Sequence, residues 1–275
     1  MRVFISCDME GVAGIVDWQQ VTAGPEFALG RRLMLEEVNA AIDGAVEGGA
    51  TSVVVSDAHG EKQNFPPDEL HAEAEYCSGR LKPLTMMEGL DSSCDAIFLV
   101  GYHGAAGGPA SVLSHTYNPA AVQTVTLNGV LVGEGGVNAL VALHYGVRIA
   151  LISGDQHAIS QTKPIAPDAE MIVVKHSLSR LAAVNMHPAA ARRLIRAGAL
   201  RALQRLAQIG LPSVNPPYNL HVHLRNADLA EVATHIRGVE RTDTLEVMIE
   251  GKDPLAIHRS FLAMVQITRG LAQEV

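Results

Sequence analysis

Arg2-Val3-Phe4-Ile5-Ser6-Cys7-Asp8-Met9-Glu10-Gly11 is the stretch on which the reading of this chain turns. A short apolar run that stops at carboxylates is too brief for a helix and has the character of a strand buried on both faces. The same format returns at Ser52-Val53-Val54-Val55-Ser56 before Asp57, at Ala96-Ile97-Phe98-Leu99-Val100 before Gly101, and at 148–153 before Gly154-Asp155. Between the first two runs, residues 26–48 place Leu29, Leu33, Val38, Ala41, Ile42 and Ala45 on one helical stripe, and Gly48-Gly49 supplies the stop. Strands alternating with helices predict an α/β fold whose mostly parallel sheet is flanked by helices. Residues 111–116 and 122–127 are expected as additional strands, and 135–145 as a helix.

The rhythm changes beyond Val174. A long Ala/Arg/Leu helix is expected over 188–208, a punctuated connector over 210–217, and strands at 220–224 and 244–249, each followed by a helix, the last over 254–271. The chain therefore divides into an α/β domain, 1–175, that would hold the chemistry, and a smaller C-terminal α+β domain, 176–275.

Composition narrows the function. The 275 residues include 21 Lys and Arg against 29 Asp and Glu, a formal charge of −8, without a basic cluster. Nucleic acids and anionic membranes need such clusters to replace counterions, so neither is an expected partner. Apolar runs stop at about five residues where a membrane helix needs about 20. Cys7, Cys77 and Cys94 are odd in number and widely spaced, which points away from a disulfide framework or thiolate zinc site and towards a cytoplasmic location.

In open α/β sheets ligands bind beyond the carboxyl ends of strands. Three of the apolar runs end in metal-ligand residue types: Asp8 and Glu10, then Asp57-Ala58-His59-Gly60, then Tyr102-His103-Gly104. In an extended chain Asp8 and Glu10 would point to one face with Cα atoms about 6.5–7 Å apart, and two carboxylates so placed repel unless a cation separates them. Glu134, in Gly133-Glu134-Gly135-Gly136 before the expected helix, could simply meet the positive end of the helix dipole. As a ligand it completes the set Asp8, Glu10, His59, His103 and Glu134, a thiolate-free mixture that suits Zn, Mn or Co. Two divalent ions, three carboxylates and one bridging hydroxide would form a neutral cluster, so a two-metal hydrolytic site is the favoured reading. His115, after the Gly/Ala-rich loop 104–110, is either a satisfied strand histidine or an acid, base or oxyanion donor beside the metals. The other nine of the twelve histidines lack a comparable position. A Walker loop, a Gly-x-Ser-x-Gly elbow and His-Glu-x-x-His are all missing.

These residues resemble the M55 family of metallopeptidases, the D-aminopeptidases. The resemblance is carried by 6–14 (Ser-Cys-Asp-Met-Glu-Gly-Val-Ala-Gly), Ser56-Asp57-Ala58-His59, Met87-Glu88-Gly89-Leu90-Asp91, Gly101-Tyr102-His103, Ser114-His115 and 132–139, in one order over about 1–180. It implies that Asp8 bridges two zinc ions, that Glu10 and His103 complete one site and His59 and Glu134 the other, and that His115 is the catalytic residue. It also implies a homodecamer of two stacked pentamers with the sites facing an inner chamber.

The expected function is release of an N-terminal residue, small and of D configuration, from a short peptide or amino-acid amide by water activated between two zinc ions, with Mn or Co as alternative metals. The rivals are another two-metal hydrolase, acting on L-peptides, amides or phosphoesters, and a non-catalytic metal-binding subunit. Only Lys62 and Lys82 lie near the expected ligands in sequence, which favours a substrate of low negative charge.

Overall fold

The first apolar run forms β1 (Arg2–Cys7), which in the computed structural model, describing residues 1–272, is an inner strand of a seven-stranded sheet. The amphipathic stretch after it is α1 (Phe27–Glu47), ended by Gly48, whose N–H bonds the Gly44 carbonyl at 2.9 Å. Then come β2 (Ser52–Asp57), β3 (Ala74–Cys77), β4 (Ala96–Tyr102), β5 (Val122–Leu127), β6 (Val130–Leu131), α2 (Glu134–Tyr145), β7 (Arg148–Asp155) and α3 (Gln156–Thr162). The chain continues through β8 (Glu170–Ser179), β9 (Ala182–Asn185), α4 (Pro188–Gln204), β10 (Tyr218–Leu224), α5 (Ala227–Ala233), β11 (Val239–Arg241), β12 (Glu246–Gly251) and α6 (Pro254–Leu271).

The large sheet has the order β3-β2-β1-β4-β7-β8-β9. Its pairings are parallel except β8 with β9. From β1 the chain winds outward to β3 on one side, and from β4 outward to β8 on the other. The carboxyl ends of β1 and β4 therefore meet where the winding reverses, the position at which such sheets bind ligands. Alternation along β1 explains why both faces are covered. Val3, Ile5 and Cys7 join a core with Val38 and Ile42 of α1 and Ile195 of α4, while Phe4 joins the opposite core with Leu140 of α2 and Phe261 of α6. Truncating such a residue to alanine costs about 2–5 kcal/mol.

A second, antiparallel sheet has the order β11-β12-β10-β5-β6. It takes β5 and β6 from before residue 175 and the rest from after it, and the expected division at 175/176 falls inside β8. Residues 182–185 and α4 pack with the large sheet, so the α+β unit is assembled from both sides of that division. Residues 111–116 form a loop rather than the expected strand. Leu113 has φ +51° there, and the main chain of Val112 and Leu113 bonds Ser177 Oγ and the Arg180 carbonyl instead of a ladder partner. Among the described residues, no helix is long and apolar enough to cross a membrane.

Candidate metal centre

Asp8 and Glu10 follow β1 in a turn, not in the extended backbone that alternation suggests. The Val12 N–H bonds the Met9 carbonyl at 3.1 Å, and the Gly11 N–H bonds the Gly101 carbonyl at 2.8 Å. This turn presses on the end of β4, and a Cβ at Gly11 would lie 1.9 Å from the Tyr102 carbonyl oxygen. Only glycine permits that approach. Both carboxylates nevertheless converge on His59, whose Nδ1 lies 3.3 Å from Asp8 Oδ1 and 2.9 Å from Glu10 Oε2. From the end of β4, His103 places Nε2 at 3.4 Å from Asp8 Oδ2 and 3.6 Å from Glu134 Oε2.

Glu134 opens α2, but its carboxylate does not cap the helix. Oε1 accepts the Tyr117 N–H at 2.7 Å and faces His115 Nε2 at 3.7 Å. The Tyr117 hydroxyl donates to Asn138 Oδ1 at 2.7 Å, so Tyr117 and Asn138 hold the approach to Glu134 from the next turn of the same helix. The His115 ring stacks on His103 at 4.4 Å between centroids and is flanked by Trp18 at 5.8 Å.

Each of the three histidines has one ring nitrogen against a main-chain carbonyl. His59 Nε2 lies 2.6 Å from Val21 O, His103 Nδ1 3.0 Å from Gly104 O, and His115 Nδ1 2.8 Å from Leu113 O. A carbonyl can only accept, so each of those nitrogens carries the proton and, in the neutral ring, the other nitrogen turns a lone pair towards the carboxylates. Lone pairs facing lone pairs in a buried site need a cation. Asp8 Oδ2, Glu10 Oε2 and His103 Nε2 are buried without a hydrogen-bond partner, and donor atoms of Asp8, Glu10 and His103, and of His103, His115 and Glu134, lie within 4.8 Å of one another. The donor set of carboxylate and imidazole fits zinc.

The electrostatics of the protein alone point the same way. Burial works against charge on Asp8, but the facing imidazoles of His103 and His59 prevail and hold its carboxyl well below the usual range. Burial likewise opposes a proton on His103, yet Asp8 and Glu134 raise it to about 10, and Glu10 with Asp8 raises His59 well above the ordinary imidazole value. Burial lifts Glu134 to about 8. Burial and the neighbouring charge of stacked His103 push His115 down to about 4, since two stacked imidazoles resist carrying charge together. Without a metal, protons on His59 and His103 are what compensates the carboxylates.

A cavity of about 500 Å³ opens onto the cluster, lined by Asp8, Glu10, His59, His115 and Glu134 together with Trp18, Lys62 and Arg269. A recess of about 620 Å³ on the second sheet, around Asn128, Pro217 and His221, includes none of these groups.

All six residues expected from sequence thus meet at one place. Supporting residues escaped sequence reasoning. Lys175 of β8, 1% exposed, sends its ammonium to the carbonyls of Glu10, Val12 (3.0 Å) and Ile15 (2.7 Å) and pins the ligand turn from beneath. Asp155 caps α3 through the N–H groups of His157 and Ala158 and also receives the Ser111 and Ser177 hydroxyls, which ties down the loop between His103 and His115. The signal for Lys175 was present: a lysine in the apolar run Ile172-Val173-Val174-Lys175.

Comparison with known proteins identifies the family. The model of the M55 peptidase family, described as D-aminopeptidase, matches residues 1–263. The chain belongs to that family. It is accordingly a metallo-aminopeptidase, a hydrolase of peptide bonds. It is 34% identical over 271 residues, 97% of each chain, to the D-aminopeptidase of Bacillus subtilis (strain 168). A solved structure, the Zn-dependent D-aminopeptidase DppA from Bacillus subtilis, described as a self-compartmentalizing protease, superposes with a TM-score of 0.93 at 32% identity, covering 100% of this chain and 99% of that one.

Proposed function

We propose that this M55 enzyme is a binuclear zinc aminopeptidase that releases small N-terminal D-amino acids from short peptides or amino-acid amides. The observation that carries the reading is the set of buried, partnerless ligand atoms of Asp8, Glu10 and His103, beside histidines whose second nitrogens are fixed on carbonyls. Asp8, between His59 and His103, would bridge the ions, with Glu10 and His103 completing one site and His59 and Glu134 the other. When bound, two such ions polarise a carbonyl and lower the pKa of water to about 7.

The remaining work falls to the chain. The carbonyls of Val21 and Gly104 keep the rings of His59 and His103 in one tautomer and orientation. The His115 ring, clamped by Leu113 O and by stacking, presents Nε2 to the same cavity. With Nδ1–H held on Leu113 O, Nε2 of the neutral ring offers a lone pair, so it serves as the base that takes a proton from the attacking water and then passes that proton to the leaving amine. Trp18 and Tyr117 wall the cavity and restrict water around the reacting amide.

The relative's self-compartmentalizing character supports assembly of this chain into a closed oligomer, which we take to be a homodecamer. A cytoplasmic location accords with its three free cysteines.

The test is metal analysis of the purified protein, coupled to hydrolysis of D- and L-alaninamide, D- and L-alanyl peptides and a phosphodiester, with and without chelator. The expected result is two zinc ions per subunit and chelator-sensitive cleavage of the D-substrates. Stoichiometric zinc with no amide turnover, or turnover of the phosphodiester alone, would overturn the reading.

A further inference from the structure

An aminopeptidase acting on very short peptides must hold the far end of its substrate close to the metals, because in a dipeptide the terminal carboxylate lies only one residue beyond the scissile carbonyl. The sequence near the ligands offers few cations. The fold adds Arg80 and Arg269 to Lys62 and Lys82 around the same cavity. Two of these four are already engaged. Lys82 donates to Ser56 Oγ at 2.8 Å, Asp57 O at 2.7 Å and Cys77 O at 3.3 Å, using its three N–H groups, and Arg80 pairs with Glu61 at 2.8 Å.

Lys62 differs. Its N–H closes a tight turn on the carbonyl of His59 at 2.8 Å, and its main chain takes φ +59°, a left-handed conformation that a side-chain-bearing residue rarely adopts. The turn folds the side chain back so that Nζ meets the Ala58 carbonyl at 2.7 Å, immediately before a candidate zinc ligand. An ammonium has three donors, and this one has a single protein acceptor. Arg269 reaches the same cavity from α6, at the opposite end of the chain, and its charge repels that of Lys62, though less strongly than Asp8 and Glu134 attract it. Among the described residues neither has an acidic partner within 4.0 Å. Two converging cations beside the reacting centre form a receptor for an anion.

Building on the aminopeptidase reading, we propose that Lys62 and Arg269 bind the C-terminal carboxylate of the substrate and make the enzyme selective for dipeptides with a free carboxylate over amidated ones. This reverses the expectation of a weakly charged substrate.

The test compares kcat/KM for D-alanyl-D-alanine and D-alanyl-D-alaninamide, which differ only at the carboxylate, in the wild type, Lys62→Met and Arg269→Gln. Calorimetric Kd values for the reduced-bond isosteres of both compounds read binding without turnover. The wild type should favour the acid, and Lys62→Met should lower the acid-to-amide ratio roughly tenfold to hundredfold, mainly through KM, as expected for loss of a charged hydrogen bond. Arg269→Gln should move the ratio in the same direction and decides the matter if Lys62→Met does not accumulate. Absence of wild-type preference, or parallel loss on acid and amide, overturns the carboxylate receptor and leaves the aminopeptidase reading intact. A wild type that cleaves neither compound overturns both.

Discussion

In the large sheet the inner strands β1, β2, β4 and β7 are apolar on both faces and stop at buried charge or its neighbours, whereas in the second sheet β10 alternates, with Tyr218, Leu220, Val222 and Leu224 buried and Asn219, His221 and His223 half-exposed. One sheet leaves little for water along its inner strands and gathers their polar groups at one end. The other solves its solvation residue by residue, and its polar groups stay dispersed. Concentrated charge needs compensation, and the large sheet supplies it with carbonyl-fixed histidines, a buried lysine and room for cations. Function follows from that concentration, while the second sheet backs α2, which carries Glu134, through the shared core.

If the carboxyl end of the large sheet is the reacting centre, the most damaging change there that spares the ligands is His115→Ala. Both metals should remain bound while kcat falls roughly 10²–10⁴-fold, the usual contribution of a positioned acid or base. Zinc analysis and steady-state kinetics on one preparation check this. Unchanged kcat would remove His115 from the chemistry.

Lys175→Met probes the support beneath the centre. It preserves length but strips a charged donor from three buried carbonyls, and it leaves Glu37, which burial already raises to about 7, with Arg192 but without Lys175 to favour its charge. Stability should fall by about 3–5 kcal/mol, the range seen when a buried charge loses its partners, and zinc affinity should fall with it because the Glu10 turn loosens. Urea unfolding of the metal-free protein against wild type measures the first effect. A loss under about 1 kcal/mol would mean water replaces the ammonium cheaply.

Zinc binding should also depend on pH in a defined direction. His59 and His103 are raised above the ordinary value of 6.5, so in the metal-free protein their stabilising protons are fully present below that value and are lost as pH rises through the folded values, about 10 for His103. Zinc must displace these protons, so its affinity should increase roughly tenfold per pH unit for each proton released. Competition with a chromophoric chelator between about pH 6 and 8 reads the slope, and a flat profile would show that the rings are already neutral.

The contrast between the sheets also explains what the sequence disclosed. β1, β2, β4 and β7 were legible because burial on both faces leaves unbroken apolar runs, and Asp8, Glu10, His59 and His103 because they stand directly after those runs. β3, β8 and β9 were not, since strands towards the edges carry Glu75, Glu170, Lys175 and His176 and lose the apolar signature. Residues 111–116 misled in the other direction. Val112 and Leu113 are adjacent and both fully buried, which mimics a strand, but a loop packed between β8 and the ligand cluster buries its side chains equally well. The turn at Asp8–Val12 was hidden because its cause, the carbonyl of Tyr102 under Gly11, is 91 residues away in the chain. Arg269 joined the cavity only through the path of α6.

The smallest expected effect lies in the second sheet and sharpens the division of labour. Asn128 and Gly129 join β5 to β6 with φ +49° and +80°, the two positive values that a tight hairpin of this hand requires. Asn128 also accepts the Asn219 N–H at 2.8 Å and donates to Asn215 O at 2.8 Å, linking the hairpin to β10 and the connector before it. Alanine keeps neither bond and tolerates the left-handed backbone poorly, so Asn128→Ala should cost about 1–2 kcal/mol. Its kcat/KM should match wild type, because no cluster residue belongs to this sheet. Were turnover to fall well below wild type, the antiparallel sheet would have to transmit strain through α2 to Glu134, and the two sheets would form a single functional unit.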